Sequence, residues 1–161
     1  MTQIVQSPHS AICVLYFEQE KPISTEPLVH ILVVDDFADW RKCISEKLQE
    51  NRSLRVIGAA TDGLEAVLKA EELQPDLILL DIGLPKQDGL AAARQIRKIA
   101  PKTKILFLSQ ELDPRVAQAA LDAGGDGYLV KSDADRELFP AVAAVMIGQK
   151  FVSVSVKDHF I

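Results

Sequence analysis

The sequence predicts an α/β domain, a doubly wound parallel sheet of five strands with helices on both faces. Three observations predict it. Short apolar runs alternate with amphipathic helical stretches along the chain. The runs lack polar alternation, which suits strands buried on both faces. Asn51, Pro75, Pro101 and Gly124 each follow a helical stretch and separate it from the next apolar run.

The elements follow in order. Ile31-Leu32-Val33-Val34 is the first strand and ends in Asp35-Asp36. The next helix covers residues 38–49, with Trp40, Cys43, Ile44 and Leu48 at helical spacing. Residues 54–60 form the second strand, and residues 63–73 a helix with Leu64, Val67 and Leu68 on one side. Leu77-Ile78-Leu79-Leu80 is the third strand, ending in Asp81. Residues 90–100 are helical, with Leu90, Ala93 and Ile96 inward, and residues 105–108 form a strand closed by Ser109. Asp113-Pro114 reads as an N-cap followed by proline at the first helical position. Gly124 stops that helix after Ala123. Tyr128-Leu129-Val130 is the fifth strand and ends in Lys131. Ser132 is read as the cap of a last helix running to Gly148, with Pro140 expected to bend it.

Composition narrows the class. The chain has 161 residues, 48% apolar and 25% charged, with a net charge of −5. This is ordinary globular usage, and an acidic balance disfavours a nucleic-acid binder. Cys13 and Cys43 do not make a disulfide framework, so a reducing, cytoplasmic compartment is expected. The apolar run at residues 11–17 is too short to span a bilayer and has no basic residue before it, so no membrane contact is expected. Residues 1–28 are expected to be a flexible extension, 29–148 the domain and 149–161 a tail.

The polar residues fall where such a fold puts chemistry. Asp35 and Asp36 follow the first strand, Asp81 the third, Ser109 the fourth and Lys131 the fifth. Carboxyl ends of parallel strands share one edge of the sheet, and ligands bind there near the switch in strand order. Three converging carboxylates repel one another unless a cation sits among them. Oxygen ligands without His or Cys favour a hard ion, Mg²⁺ over Zn²⁺. Lys131 and Ser109 add an ammonium and a hydroxyl. Such a set suits an incoming phosphoryl group, with a carboxylate as nucleophile.

Val33-Val34-Asp35-Asp36, Leu80-Asp81-Ile82-Gly83-Leu84-Pro85 with Asp88-Gly89, Leu108-Ser109 and Gly127-Tyr128-Leu129-Val130-Lys131 together resemble the response-regulator receiver domain. The resemblance covers residues 29–148 and implies a flavodoxin-like receiver fold. It implies that Asp81 accepts phosphate from a histidine kinase or phosphotransfer protein. It also implies Mg²⁺ on Asp36, on Asp35 largely through water, on Asp81 and on the Gly83 carbonyl. Ser109 would hydrogen-bond the phosphoryl group, Lys131 would pair with its oxygen, and Tyr128 would be an aromatic switch. Such a domain is a phosphoacceptor that catalyses only its own phosphorylation and dephosphorylation, not an enzyme acting on other substrates.

This sequence departs from the family pattern at three places. Gln110 follows Ser109 where a small residue is usual, Ser132 replaces the proline after the lysine, and Gly83 offers no side chain to steer water. Residues 148–153 resemble the receiver-to-linker junction of NarL-type regulators. Thirteen residues after the domain are too few for a helix-turn-helix module. The expectation is therefore a single-domain response regulator in a phosphorelay, acting on a downstream protein. The alternative is the receiver part of a truncated DNA-binding transcriptional regulator.

Other features read more plainly. Arg94, Arg97, Lys98, Lys102 and Lys104 read as a solvated face, since no aromatic platform accompanies them. His9, His30 and His159 have no metal spacing, and Cys43 reads as a small core residue. The last helix carries two apolar stripes: Leu138, Val142 and Val145, then Phe139, Ala143 and Met146. One sheet face needs only one stripe, so the second suggests a surface for a partner or a homodimer. A dehalogenase-like hydrolase is disfavoured because Gly83 stands where its second aspartate would. A flavodoxin is disfavoured because no hydroxyl-rich phosphate loop follows the first strand.

Overall fold

The computed structural model describes residues 27–158. In chain order the elements are β1 (Val29–Val34), α1 (Ala38–Gln49), β2 (Leu54–Ala60), α2 (Gly63–Leu73) and β3 (Leu77–Asp81). There follow α3 (Gly89–Ile99), β4 (Lys104–Ser109), α4 (Pro114–Asp122), β5 (Gly127–Val130) and α5 (Ala134–Met146). Two short elements, β6 (Phe151–Val152) and α6 (Val154–Lys157), complete the described chain.

The strands form one parallel sheet in the order β2-β1-β3-β4-β5-β6. This is the doubly wound α/β architecture expected, with one strand more. The order reverses between β1 and β3, which opens a crevice at their carboxyl ends.

Alternation along each strand divides the core. Leu32, Val34, Ile78, Leu80, Phe107, Tyr128 and Val130 belong to one buried cluster, together with Ala66, Ala70, Ala93 and Ile96 from α2 and α3. Ile31, Val33, Leu77, Leu79, Leu108 and Leu129 belong to the other, with Ile44 and Leu48 of α1 and Leu138 and Val145 of α5. Every strand residue between Ile31 and Val34 and between Leu77 and Asp81 is buried. The apolar runs lack polar alternation for that reason.

Helix ends follow local chemistry. Asp62, Asp88 and Asp113 each accept a backbone N–H in the first turn of their helices, from Glu65, Ala91 and Arg115. Gly124, at φ 106°, turns the chain after α4 in a conformation that disfavours side chains. Gly89 is required for a different reason. A Cβ there would lie 2.2 Å from the Asp81 carbonyl oxygen, so α3 starts directly against the end of β3.

Several expectations are corrected. In α2 the buried residues are Gly63, Ala66 and Ala70, while Leu64 and Leu68 are 51% and 65% exposed. Small alanines let α2 lie close to the sheet and α3, and this rotates its leucines outward. Cys43 is exposed on α1. Ser132 does not cap the last helix: Lys131–Asp133 make a 3₁₀ turn, and α5 starts at Ala134 without a side-chain cap. The helix runs through Pro140, which sits on its exposed side, and ends at Met146. Phe139 and Met146 are partly buried against the core, while Ala143 between them is exposed.

β6 was not anticipated. Ser153 N–H donates to the Tyr128 carbonyl at 2.9 Å, and Val130 N–H donates to Ser153 Oγ at 2.8 Å. Val156 joins the core with no exposure. The expected extension over residues 1–28, including the run at 11–17, lies almost wholly outside the described residues.

Candidate functional site

Strand ends deliver the functional groups. β1 carries Asp35 to the crevice, where the residue is fully buried. Its Oδ1 accepts the Phe37 N–H at 2.8 Å, and its carbonyl accepts Arg41 Nη1 at 2.8 Å. Both bonds tie the start of α1 to the end of β1. Asp36 is exposed beside it. β3 delivers Asp81, which is 8% exposed and accepts the Gly83 N–H at 3.1 Å. Oxygens of Asp35, Asp36 and Asp81 all lie within 4.8 Å of one another.

Among the described residues, one cation forms ion pairs within this trio. Lys131, at the end of β5, places Nζ 2.6 Å from Asp35 Oδ2 and 3.4 Å from Asp81 Oδ2. Burial pushes the Asp81 carboxyl above its ordinary value, and the Asp35 carboxylate pushes it further the same way. Lys131 and the Gly83 N–H oppose that shift. The net direction is upward, with burial the largest cause. The donor set is all oxygen, with the exposed Asp36 at the mouth, and fits a hard divalent cation such as Mg²⁺.

Ser109 ends β4 and lines the same cleft; its Oγ accepts the Glu111 N–H at 3.0 Å. Tyr128 does not line the cleft. Its ring is fully buried in β5, and its hydroxyl donates to the Glu111 carbonyl at 2.8 Å. Glu111 therefore links Ser109 to Tyr128 through its own backbone. Gly83 and Gln110 also line the cleft, which has a volume of about 450 Å³.

Sequence reasoning missed Trp40. It was assigned to the core stripe of α1, and part of it does pack there. The ring also walls the cleft, with Lys131 Nζ 5.3 Å from its centroid. A signal existed: Trp40 follows Asp36 by about one helical turn, so it sits above the acid pair. The spacing alone could not distinguish a core position from a cleft wall.

Comparison with known proteins gives the same frame. Residues 31–143 match the family model of the response regulator receiver domain. The response regulator protein VraR of Staphylococcus aureus (strain Mu3 / ATCC 700698) is 36% identical over 121 residues, which cover 75% of this chain and 58% of VraR. The chain thus spans a little over half the length of that relative. A two-component response regulator of the LuxR family from Aurantimonas sp. SI85-9A1 aligns with a TM-score of 0.78 at 28% identity, over 81% of this chain and 94% of that one. The signal receiver domain of the putative response regulator NarL from Mycobacterium tuberculosis aligns with a TM-score of 0.72 at 30% identity, over 76% and 99%. The family match runs from β1 into α5, through every strand end that builds the cleft, and this chain belongs to the response regulator receiver domains of two-component systems.

Proposed function

We propose that this receiver domain accepts a phosphoryl group on Asp81 and acts as a phosphorylation-dependent switch. The observation that carries the proposal is the charge arrangement: three carboxylates within 4.8 Å, two of them paired with Lys131, the one cation in ion-pair reach of them among the described residues. Asp35, Asp36 and Asp81, with the Gly83 carbonyl, would hold Mg²⁺. When bound, the ion would neutralise charge on the phosphoryl oxygens.

The chain's own groups do the rest. The Asp81 carboxylate is the nucleophile, its Oδ1 oriented by the Gly83 N–H. Lys131, already 3.4 Å from Asp81 Oδ2, meets the negative charge that arrives with the phosphoryl group. Ser109 exchanges its bond with the Glu111 N–H for one to a phosphoryl oxygen. That exchange loosens the Glu111 backbone on which the Tyr128 hydroxyl depends. The altered surface lies around α4, β5 and α5, where a downstream protein or a second copy would bind. The donor is a phosphohistidine of a histidine kinase or phosphotransfer protein, and the domain catalyses only its own phosphorylation and dephosphorylation.

The test is intact mass after incubation with Mg²⁺ and acetyl phosphate. Wild type should gain one phosphoryl group, and Asp81→Asn none. Equal uptake by the variant overturns the assignment of Asp81.

A further inference from the structure

α2 and α3 lie side by side on one face of the sheet. A Cβ on Gly63, the first residue of α2, would overlap the Gln87 carbonyl oxygen just before α3. At the other end Gln74 Nε2 donates to the Ile99 carbonyl at 3.3 Å. The surface these helices present to solvent is divided by chemistry. α2 shows Leu64 and Leu68, one turn apart and each more than half exposed. α3 shows Arg94 and Lys98, also one turn apart and exposed. Neither cationic side chain forms an ion pair among the described residues. A single exposed leucine is ordinary; two on adjacent turns beside two unpaired cations make a patterned surface.

The chain supplies a segment with the matching pattern. Residues 1–17 contain no Asp, Glu, Lys or Arg, and they end in Ala11-Ile12-Cys13-Val14-Leu15-Tyr16-Phe17. Glu18 and Glu20 follow at once. The described chain enters β1 close to the ends of both helices. Asp76 N–H, just past α2, donates to the His30 carbonyl at 2.9 Å, and His30 N–H donates to Asp76 Oδ2 at 2.8 Å. From Leu28 back to Phe17 the chain spans at most about 36 Å. Leu64 stands about 15 Å along α2 from Gln74, well inside that reach. The order also agrees. Leading away from β1, the acids come first and the apolar run second. Climbing the helices from the same edge, Lys98 comes first, then Arg94 and Leu68, and Leu64 last.

From this arrangement we infer that residues 12–17 dock on Leu64 and Leu68, with Glu18 and Glu20 beside Lys98 and Arg94. The occupant of the α2–α3 face is this chain's own amino-terminal segment. Docking removes the neutral run and the two leucines from water. Glu71 and Glu72, exposed on α2, repel the acids of the segment and steer them to the α3 side. Each solvated ion pair is weak alone. The tether compensates, because it holds the segment at an effective concentration on the order of millimolar.

The full chain carries its own reporters. Cys13 lies within the run, and Cys43 is exposed on α1, which packs on the opposite face of the sheet. Gln95→Cys adds a third thiol, exposed on α3 next to Arg94. Mild oxidation of dilute protein, followed by peptide mapping, measures which thiol Cys13 joins. The intramolecular bond from Cys13 to position 95 should exceed the bond to Cys43 roughly fivefold, a modest bias suited to solvated contacts. Leu64→Ser with Leu68→Ser should erase most of that excess. Lys98→Glu should reduce it, and more at low salt than at high salt. Equal yields at the two thiols overturn the docking, since the tether is long enough to reach both faces. An excess that survives the double serine variant overturns the role of the leucines. Where that variant fails to fold, Lys98→Glu decides, and an excess unchanged at both salt concentrations overturns the inference. Bonds between two chains, rising with protein concentration, overturn the assignment to the chain's own segment and give the face to a second copy.

Discussion

Two charge clusters lie near opposite edges of the sheet, and their accounts differ. At the amino end of β5, Arg97 donates to the Gly124 carbonyl at 2.7 Å, to the Thr103 carbonyl and to Asp126 Oδ2 at 2.5 Å. Asp126 also accepts the Ile105 N–H at 2.9 Å and has Lys150 3.8 Å away. Two cations serve one carboxylate, and the guanidinium ends on backbone carbonyls. At the carboxyl end, one ammonium pairs with two of three neighbouring carboxylates, Asp35 and Asp81. The first cluster closes on itself and pins loops to α3. The second leaves negative charge unanswered and opens to solvent. A charged cluster that balances internally reads as a staple; one that does not reads as a place for a ligand.

The comparison can be broken by mutation. The largest expected effect is at the staple. Arg97→Ala should cost about 2–4 kcal/mol in urea unfolding, because Asp126 loses its main partner and three backbone carbonyls lose a donor. It should leave Mg²⁺ binding unchanged. A loss near zero would place the Arg97 cluster among surface ion pairs of little worth.

Mg²⁺ supplies the second contrast. At a hundredfold excess over its Kd it should stabilise wild type by about 2.7 kcal/mol, by mass action on the folded state. Asp36→Ala should remove most of that gain, and Arg97→Ala should keep it. Thermal unfolding with and without the ion measures both.

Asp81→Asn comes next and should be mild. It relieves repulsion with Asp35, and an Asn oxygen can still accept the Gly83 N–H. In metal-free buffer its stability should match or exceed wild type by up to about 1 kcal/mol. A loss beyond that would show that the Asp81–Lys131 pair stabilises the fold.

The smallest effect concerns Tyr128. Burial raises its pKa above the ordinary 10.0. The folded state therefore holds this proton more tightly than the unfolded state. Its contribution to stability is complete below pH 10 and falls as pH rises from there through the folded-state value. Tyr128→Phe should flatten the alkaline limb of a stability–pH profile.

Much of this layout was legible in sequence because the fold places strand ends along one edge. Asp35, Asp36, Asp81, Ser109 and Lys131 each close an apolar run, and parallel pairing then brings them together. Helix faces were less legible. The pattern in α2 offered Leu64, Val67 and Leu68 to the core; Val67 packs against it with Leu73, but Ala66 and Ala70 are the fully buried residues, and Leu64 and Leu68 face outward. Cys43 and Trp40 were misjudged for a related cause: a periodic stripe gives a helix's apolar side but not which of its residues reach the core. β6 has two residues, too few to show a period, and its place depends on hydrogen bonds to Asp126 and Tyr128 distant in sequence. The turn at Lys131–Asp133 was hidden behind a serine that resembled a cap.

The position of Trp40 has a practical consequence. It is the chain's one tryptophan. Near-ultraviolet emission excited at the indole band therefore reports from the rim of the acidic cleft and nowhere else in the protein. A positive charge stands 5.3 Å from the emitting ring. Any event that draws Lys131 away, or brings another ion or ring close, changes the environment of the chromophore. The domain thus carries its own optical gauge of cleft occupancy, and titrations of ion or donor can be followed in the unlabelled protein.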